Sequence, residues 1–118
     1  MNILIVDDNE QNLYLERFLL EQRGHTIREA RDAEQAFELI AAEKPELIVM
    51  DVGLPGMNGL EATRRLKADA ATADIPVIAC TAHSMVGDES DALAAGCAGY
   101  ISKPIDPASF VAAIEEFA

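Results

Sequence analysis

Side chains suited to metal or phosphate chemistry follow four short apolar runs in this sequence. Carboxylic acids follow the first two runs, a threonine follows the third, and a lysine comes shortly after the fourth. In chain order these residues are Asp7, Asp8, Asp51, Thr81 and Lys103. Carboxylates are ligands for hard cations, whereas hydroxyl and ammonium groups donate hydrogen bonds to phosphate oxygens. If the runs are neighbouring parallel strands, these side chains share one sheet edge, which is where open α/β sheets bind ligands.

Three carboxylates gathered at one sheet edge repel one another strongly in a partly buried cleft. Protonation of one acid or a bound cation relieves the repulsion, and Mg²⁺ suits such a site because it prefers oxygen ligands. A carboxylate can also attack phosphorus to give an aspartyl phosphate, and Asp51 is the acid that ends the central strand. Taken singly, Asp8 is consistent with a helix cap, Thr81 with an ordinary strand residue and Lys103 with a surface lysine.

The elements that must position these residues alternate regularly along the chain, strand before helix, five times. Strands that are apolar nearly throughout predict a parallel sheet with helices on both faces. Residues 25–30 alternate between polar and apolar side chains, which is typical of a half-exposed edge strand. We therefore predict an α/β fold with a five-stranded parallel sheet in the order 2-1-3-4-5. The switch point of that order lies between the first and third strands, which precede the three acids.

Helix ends are marked by capping residues. The first helix is predicted over residues 9–23, before Gly24. Residues 84–95 predict a weak helix with few large apolar side chains, and we expect it to be the most mobile helix. The predicted N-terminal caps of three further helices are Asp32, Asn58 and Asp106.

Length and composition exclude several classes of function. A chain of 118 residues suits one domain, and its net charge of −12 disfavours binding to nucleic acids. No apolar stretch approaches the roughly 18 residues of a membrane span, and no secretion signal precedes the first strand, so we expect a cytoplasmic protein.

Cys80 and Cys97 are too few for a disulfide framework and are interpreted as buried small residues. No arrangement of histidine with serine or cysteine predicts a hydrolytic triad.

The chain resembles the receiver domain of two-component response regulators over essentially its whole length, residues 1–118. The resemblance rests on the joint pattern of Asp7-Asp8, Asp51, Leu54-Pro55-Gly56-Met57-Asn58-Gly59, Thr81-Ala82 and Lys103-Pro104. It implies a flavodoxin-like fold and a reversible phosphorylation switch, rather than an enzyme that turns over an external substrate.

The resemblance also implies roles for the residues at the sheet edge. Asp51 would be the phospho-acceptor, and Asp7 and Asp8 would form the acidic pocket. Mg²⁺ would be held by Asp8, Asp51 and the backbone carbonyl of Gly53, with Asp7 completing the metal pocket. Lys103 would contact the phosphoryl group and neutralise its charge.

Two further residues would report phosphorylation. By resemblance, Thr81 is the switch hydroxyl that moves toward the phosphoryl group, and Tyr100 is the aromatic side chain that rotates with it. The bond between Lys103 and Pro104 is usually cis in the family, although only about 5–6% of X–Pro bonds are cis in general.

Gly53 departs from many relatives, because it lacks the side chain that often lies over the phosphoryl site. His83, two residues after the switch threonine, is a bulky neighbour of the same site. We hypothesise that these two positions set the lifetime of the aspartyl phosphate. Unchanged dephosphorylation in Gly53→Asn and in His83→Ala would contradict this hypothesis.

Output is expected to come from protein binding, because the chain ends directly after the last predicted helix and we expect a stand-alone monomer. The expected partners are a sensor histidine kinase or histidine phosphotransfer protein and a downstream protein target, with no nucleic acid and no membrane. On the first helix, Leu15 is the residue predicted to belong to the partner surface. The apolar side chains of this helix point in too many directions for all of them to face the sheet. The remaining residues of the predicted partner surface are Ala82, His83, Pro104 and Ile105.

Three other functions compete with this interpretation of the sequence. A binding module could keep the fold without being phosphorylated, as a pseudo-receiver. An aspartyl-phosphate phosphatase usually has a second aspartate two residues after its nucleophile, and here that position is Gly53. A flavin-binding protein would need a phosphate loop after the first strand, where residues 7–10 include three acids that would repel a phosphate.

Overall fold

Five parallel strands form one sheet in the order β2-β1-β3-β4-β5, which confirms the predicted fold class and strand order. The computed structural model describes residues 1–81 and 88–117. The strands are β1 (Asn2–Val6), β2 (Thr26–Ala30), β3 (Leu47–Asp51), β4 (Val77–Thr81) and β5 (Gly99–Ser102). The half-exposed strand β2 lies at the edge, as its alternating sequence predicts.

Five helices connect and follow the strands. They are α1 (Glu10–Glu21), α2 (Ala33–Ala42), α3 (Gly59–Ala68), α4 (Asp88–Ala95) and α5 (Pro107–Glu115). The side chains of Asn9, Asp32, Asn58 and Asp106 each accept a hydrogen bond from the backbone three residues on, which confirms the three predicted caps and adds a fourth. Residues 84–87 of the predicted weak helix lie outside the described residues. Within the described ranges, no helix is long and apolar enough to cross a membrane.

Each face of the sheet has its own apolar core. Helices α1 and α5 cover one face, which we call the α1/α5 face. Its core contains Ile3, Ile5, Leu13, Leu20, Leu47, Val49, Ile78, Cys80, Phe110 and Ile114. Helices α2, α3 and α4 cover the opposite face, which contains the buried Cys97. Both cysteines are buried, as predicted, and they lie on opposite faces.

The register of the strands brings their carboxyl ends together. Asp51 at the end of β3 lies beside Cys80 of β4, and Thr81 lies beside Ser102 of β5. The backbone N–H of Lys103 donates to the carbonyl oxygen of Thr81 at 2.7 Å, which continues the pairing of these strands past β5. Residues that are far apart in sequence therefore meet at one edge.

Candidate functional site

Three aspartates meet at the carboxyl edge of the sheet, and we call them the acidic pocket. One carboxylate oxygen from each of Asp7, Asp8 and Asp51 lies within 4.8 Å of the others. Asp7 and Asp51 are buried, whereas Asp8 is exposed at the rim. The three acids that sequence reasoning placed together are thus neighbours in the structure.

Lys103 supplies positive charge to the pocket. Its Nζ lies 2.8 Å from Asp7 Oδ2 and 3.4 Å from Asp51 Oδ1, and its side chain is only 12% exposed. Burial pulls the pKa of Lys103 down, but the two carboxylates outweigh burial, so the pKa is raised overall. The ammonium group therefore stays charged at neutral pH.

The charge of the Asp51 carboxylate is less fully balanced by its neighbours than the charge of Lys103 is. Its Oδ1 accepts a hydrogen bond from the backbone N–H of Gly53 at 3.1 Å. Burial first, and the charge of Asp7 second, raise the pKa of Asp51, although Gly53 and Lys103 act in the opposite direction. Burial and the like charge of Asp7 therefore outweigh the favourable contacts that Gly53 and Lys103 make with Asp51.

The donor set of the pocket fits a magnesium ion. Two buried carboxylates and one exposed carboxylate offer hard oxygen ligands, which Mg²⁺ typically takes together with waters or a phosphate oxygen. A divalent cation there would also offset the charge that raises the pKa of Asp51. Asp7 is held in place from two sides, because Oδ1 accepts from the N–H of Asn9 at 2.9 Å and Oδ2 accepts from Lys103.

Gly59 is a site residue whose role sequence reasoning missed. A Cβ at this position would lie 2.1 Å from the carbonyl oxygen of Asp51 and 2.9 Å from Met50 Cγ. The N–H of Gly59 donates to the carbonyl of Val52 at 3.1 Å, so the start of α3 is in backbone contact with the end of β3. The sequence signal was a glycine immediately after the cap Asn58, in the first turn of a helix.

Thr81 and Tyr100 lie on the opposite face of the sheet from the pocket. Along β4, Thr81 continues the row of Val77 and Ala79, which belong to the core under α2, α3 and α4. Thr81 is buried, and the half-buried Tyr100 packs against the same core. Asp51 continues the row of Val49, which belongs to the α1/α5 face.

The predicted partner residues lie on more than one element near the carboxyl edge of the sheet. Pro104 is exposed, Ile105 is half-buried, and the Lys103–Pro104 bond is cis, as the resemblance implied. Leu15 is half-buried on α1. Ala82 and His83 lie outside the described residues.

Two aromatic side chains on α1 are more exposed than Leu15. Tyr14 is 71% exposed and Phe18 is 47% exposed. Their rings stack with centroids 6.2 Å apart and planes inclined by 12°. Together with Arg17, Glu29 and other residues they line a shallow groove between α1 and β2.

Glu16 is the second residue that sequence reasoning missed. It is 1% exposed, and it lies on the buried side of α1 between Leu13 and Leu20. Burial first, and the charge of Asp7 second, raise the pKa of Glu16 to about 8. The spacing of three and then four residues from Leu13 to Leu20 places Glu16 on one helical face with both leucines, but that spacing alone does not show that this face meets the sheet.

The fold and the pocket together define a doubly wound α/β protein with an acidic site at the switch point of its sheet. The sequence matches the model of the response regulator receiver domain over residues 3–115, and the chain belongs to this family. Receiver domains are signalling switches that typically bind Mg²⁺ at an acidic pocket. They interact with histidine kinases or phosphotransfer proteins and with downstream targets.

Similar proteins cover nearly the whole chain. The polar-differentiation response regulator DivK of Brucella anthropi is 42% identical over 116 residues, which are 98% of this chain and 94% of that protein. The solved receiver domain of NtrX from Brucella abortus is 27% identical with a TM-score of 0.91, covering 98% of this chain and 97% of that one. The signal receiver domain of a histidine kinase from Syntrophus aciditrophicus is 29% identical with a TM-score of 0.89, and the covered shares are 98% and 87%.

Proposed function

We propose that this chain is a phosphorylation-dependent switch of a two-component or phosphorelay pathway, with Asp51 as the phospho-acceptor. The observation that carries the proposal is the buried arrangement in which Lys103 Nζ lies between Asp7 Oδ2 and Asp51 Oδ1, at 2.8 and 3.4 Å. An ammonium group fixed beside a carboxylate that has a raised pKa is suited to a group that arrives with negative charge.

The reaction we propose is a phosphoryl transfer from a phosphohistidine. An oxygen of Asp51 attacks phosphorus, a P–O bond forms, and the P–N bond breaks with its electron pair on the imidazole nitrogen. Lys103 and the N–H of Gly53 stabilise the charge around the acceptor. Water later attacks the same phosphorus, the bond between phosphorus and the Asp51 oxygen breaks, and inorganic phosphate leaves as the carboxylate is restored.

The proposed metal ligands are Asp7, Asp8, Asp51 and the backbone carbonyl of Gly53. Mg²⁺ bound there would supply positive charge to the transferring phosphoryl group. Asp7 is pre-positioned for this role by its hydrogen bonds to Lys103 and to the N–H of Asn9. Asp8, which is exposed, would be the ligand nearest to solvent.

The proposed output is a change at Thr81 and Tyr100. Thr81 ends β4, and its carbonyl oxygen accepts a hydrogen bond from the backbone of Lys103 at 2.7 Å. A phosphoryl group on Asp51 would attract both the Lys103 ammonium and the Thr81 hydroxyl, so a local change of charge would be passed to the opposite face of the sheet. Tyr100, Pro104 and Ile105 would then alter their fit to a downstream protein.

The proposed phosphodonors are a sensor histidine kinase or a histidine phosphotransfer protein, which would dock on a monomer in the cytoplasm. The exposed rings of Tyr14 and Phe18, next to the half-buried Leu15, offer an apolar contact on α1. The cap of this helix, Asn9, adjoins Asp7, so a partner on α1 would stand close to the acidic pocket.

Intact-mass measurement after incubation with acetyl phosphate and Mg²⁺ tests the proposal. The wild type should gain one phosphoryl group, and Asp51→Asn should gain none because the amide is not a nucleophile for phosphorus. Asp74→Asn is the matched control, since Asp74 is an exposed aspartate that pairs with Lys44 at 2.8 Å away from the pocket. An unmodified wild type, with any phosphodonor, would favour the pseudo-receiver instead.

A further inference from the structure

Glu16 is a buried carboxyl group that the proposed phosphotransfer does not use. It is 1% exposed, and among the described residues its Oε2 atom has no hydrogen-bond partner. A buried polar atom without a partner is costly, and such groups are retained in folded proteins only rarely. Its position therefore requires an explanation.

The geometry directs Glu16 toward the acidic pocket. Leu13 and Leu20, on the same side of α1, belong to the core of the α1/α5 face. Asp7 and Asp51 continue rows of side chains on that same face, at the carboxyl edge. Side chains of a helix lean toward its N-terminus, which for α1 is the end that adjoins the pocket through Asn9. The carboxyl group therefore approaches the pocket from within the core.

Charged and titratable groups reach Glu16 from several elements. Asp7 after β1, Asp51 of β3 and Lys103 after β5 all act on it electrostatically, and it acts in turn on Cys80 of β4. Elsewhere on the elements packed against α1, Glu29 of β2 is engaged by Arg17 at 2.6 Å. From α5, Phe110 and Ile114 contribute apolar surface, and Glu115 is paired with Arg23 at 2.9 Å.

Burial and the neighbouring charges together make the ionised form of Glu16 unfavourable. Burial is the largest effect that opposes its ionisation, and the carboxylates of Asp7 and Asp51 act in the same direction, whereas the ammonium group of Lys103 favours ionisation. With burial acting in the same direction as the carboxylates, the pKa is about 8 in the metal-free protein. A divalent cation in the pocket would favour the ionised form of Glu16 and so lower its pKa.

We propose that Glu16 is a fourth acidic group of the pocket, which strengthens the binding of a divalent cation by Asp7, Asp8 and Asp51 without being a ligand. The inference rests on the proposed metal site and not on phosphorylation. Because coupling between two sites is reciprocal, cation binding favours ionised Glu16, and ionised Glu16 favours the bound cation. Glu16 is thus a positioning residue that makes cation affinity depend on pH.

Calorimetric titration with Mg²⁺ alone, at pH 6 and pH 9, tests this inference on the wild type and on Glu16→Gln. At pH 6 the two proteins should bind with similar affinity, because Glu16 is protonated. At pH 9 the wild type should bind about five- to tenfold more tightly than the variant, a typical size for coupling between sites. Glu38→Gln removes an exposed acid on α2 and controls for net charge.

Proton release distinguishes this role from a merely structural one. Titrations near pH 7.5 in buffers of different ionisation enthalpy should show more protons released per Mg²⁺ by the wild type than by Glu16→Gln. Glu16→Leu is a second uncharged variant, in case the glutamine does not fold. The inference would be overturned if the ratio of wild-type to variant affinity were the same at pH 6 and pH 9 and if wild type and variants released equal numbers of protons. That result would leave the proposed phosphorylation of Asp51 intact. If the wild type bound no Mg²⁺ at either pH, both this inference and the proposed metal site would be wrong.

Discussion

A Cβ atom added to Gly59 would lie 2.1 Å from the backbone carbonyl oxygen of Asp51. The first turn of α3 therefore sets the position of the proposed acceptor through backbone contact. Neither partner in this contact is a flexible side-chain end, so any substituent at residue 59 must displace α3, the end of β3, or both.

Gly59→Ala should therefore lower both stability and phosphorylation. We expect a loss of about 1–3 kcal/mol in the free energy of unfolding, as for other overpacked sites, measured by urea denaturation. Gly53→Ala is the matched control for stability, because its Cβ would lie 3.8 Å from Asp51 Oδ1, at ordinary contact distance. Equal stability of the two alanine variants would show that the contact at Gly59 is easily relieved.

Replacing Lys103 with methionine should destabilise the metal-free protein. The loss of the ammonium group leaves Asp7 and Asp51 buried without their shared cation, at a cost of about 3 kcal/mol or more. Added Mg²⁺ should restore part of this loss, which unfolding curves with and without the ion would detect. Lys44→Met, which breaks an exposed pair with Asp74, should change stability by less than about 1 kcal/mol.

The stability of the metal-free protein should fall with rising pH because of Glu16. Its pKa is raised from 4.5 to about 8, so between these values the folded state keeps a proton that the unfolded state has released. The stabilising contribution is complete below pH 4.5 and is lost as the pH rises through 8.

Glu16→Gln removes this dependence. Relative to the wild type, the free energy of unfolding of the variant should rise by up to about 1.4 kcal/mol per pH unit across that interval. Chemical denaturation of both proteins in metal-free buffer from pH 4 to pH 9 measures the difference. A difference that stays constant with pH would mean that Glu16 does not titrate in this range.

The fold could be predicted because it rests on local signals. Apolar runs, a single alternating strand and capping residues such as Asp32 and Asn58 each specify one element and its ends. The order of the strands followed from those elements, since a parallel sheet with helices on both faces allows few arrangements. The meeting of Asp7, Asp8 and Asp51 followed in turn from the strand order.

Other features of the site depend on distances and rotations that no local pattern contains. The first helix has apolar residues on too many sides for its sequence to show which of them faces the sheet, so the burial of Glu16 was not predicted. The role of Gly59 depends on how closely α3 approaches β3. The pairing of Lys103 with Asp7 depends on side-chain positions across 96 residues of sequence.

Exposed aromatic residues on α1 should affect phosphotransfer from protein donors only. Tyr14→Ala, Phe18→Ala and Leu15→Ala should slow phosphorylation by a kinase or phosphotransfer protein, because they remove apolar contact area. Phosphorylation by acetyl phosphate should be unchanged. Leu93→Ala, which alters a side chain that is 53% exposed on α4, should affect neither reaction. Equal losses with both kinds of donor would indicate damage to the acidic pocket instead of lost docking.

A side chain at position 53 should lengthen the lifetime of the aspartyl phosphate. Gly53 is exposed, and a Cβ there would point to within 3.8 Å of Asp51 Oδ1, so the larger Gly53→Leu side chain would obstruct water near the phosphoryl group. We expect dephosphorylation to slow by about threefold, a change of less than 1 kcal/mol in the barrier. Intact-mass time courses after removal of acetyl phosphate measure the rate, and an unchanged rate would exclude this position as a determinant.

Asp51, whose carboxylate lies beside Lys103, continues a row of side chains on the α1/α5 face of the sheet, whereas Thr81 and Tyr100 lie in rows on the other face. A phosphodonor protein bound to α1 and a downstream protein bound near Tyr100 would thus lie on opposite sides of the sheet. Binding of one protein would then not directly cover the contact residues of the other. Such an arrangement would let the chain bind both proteins in one ternary complex, as well as bind each of them in turn in two separate binary complexes.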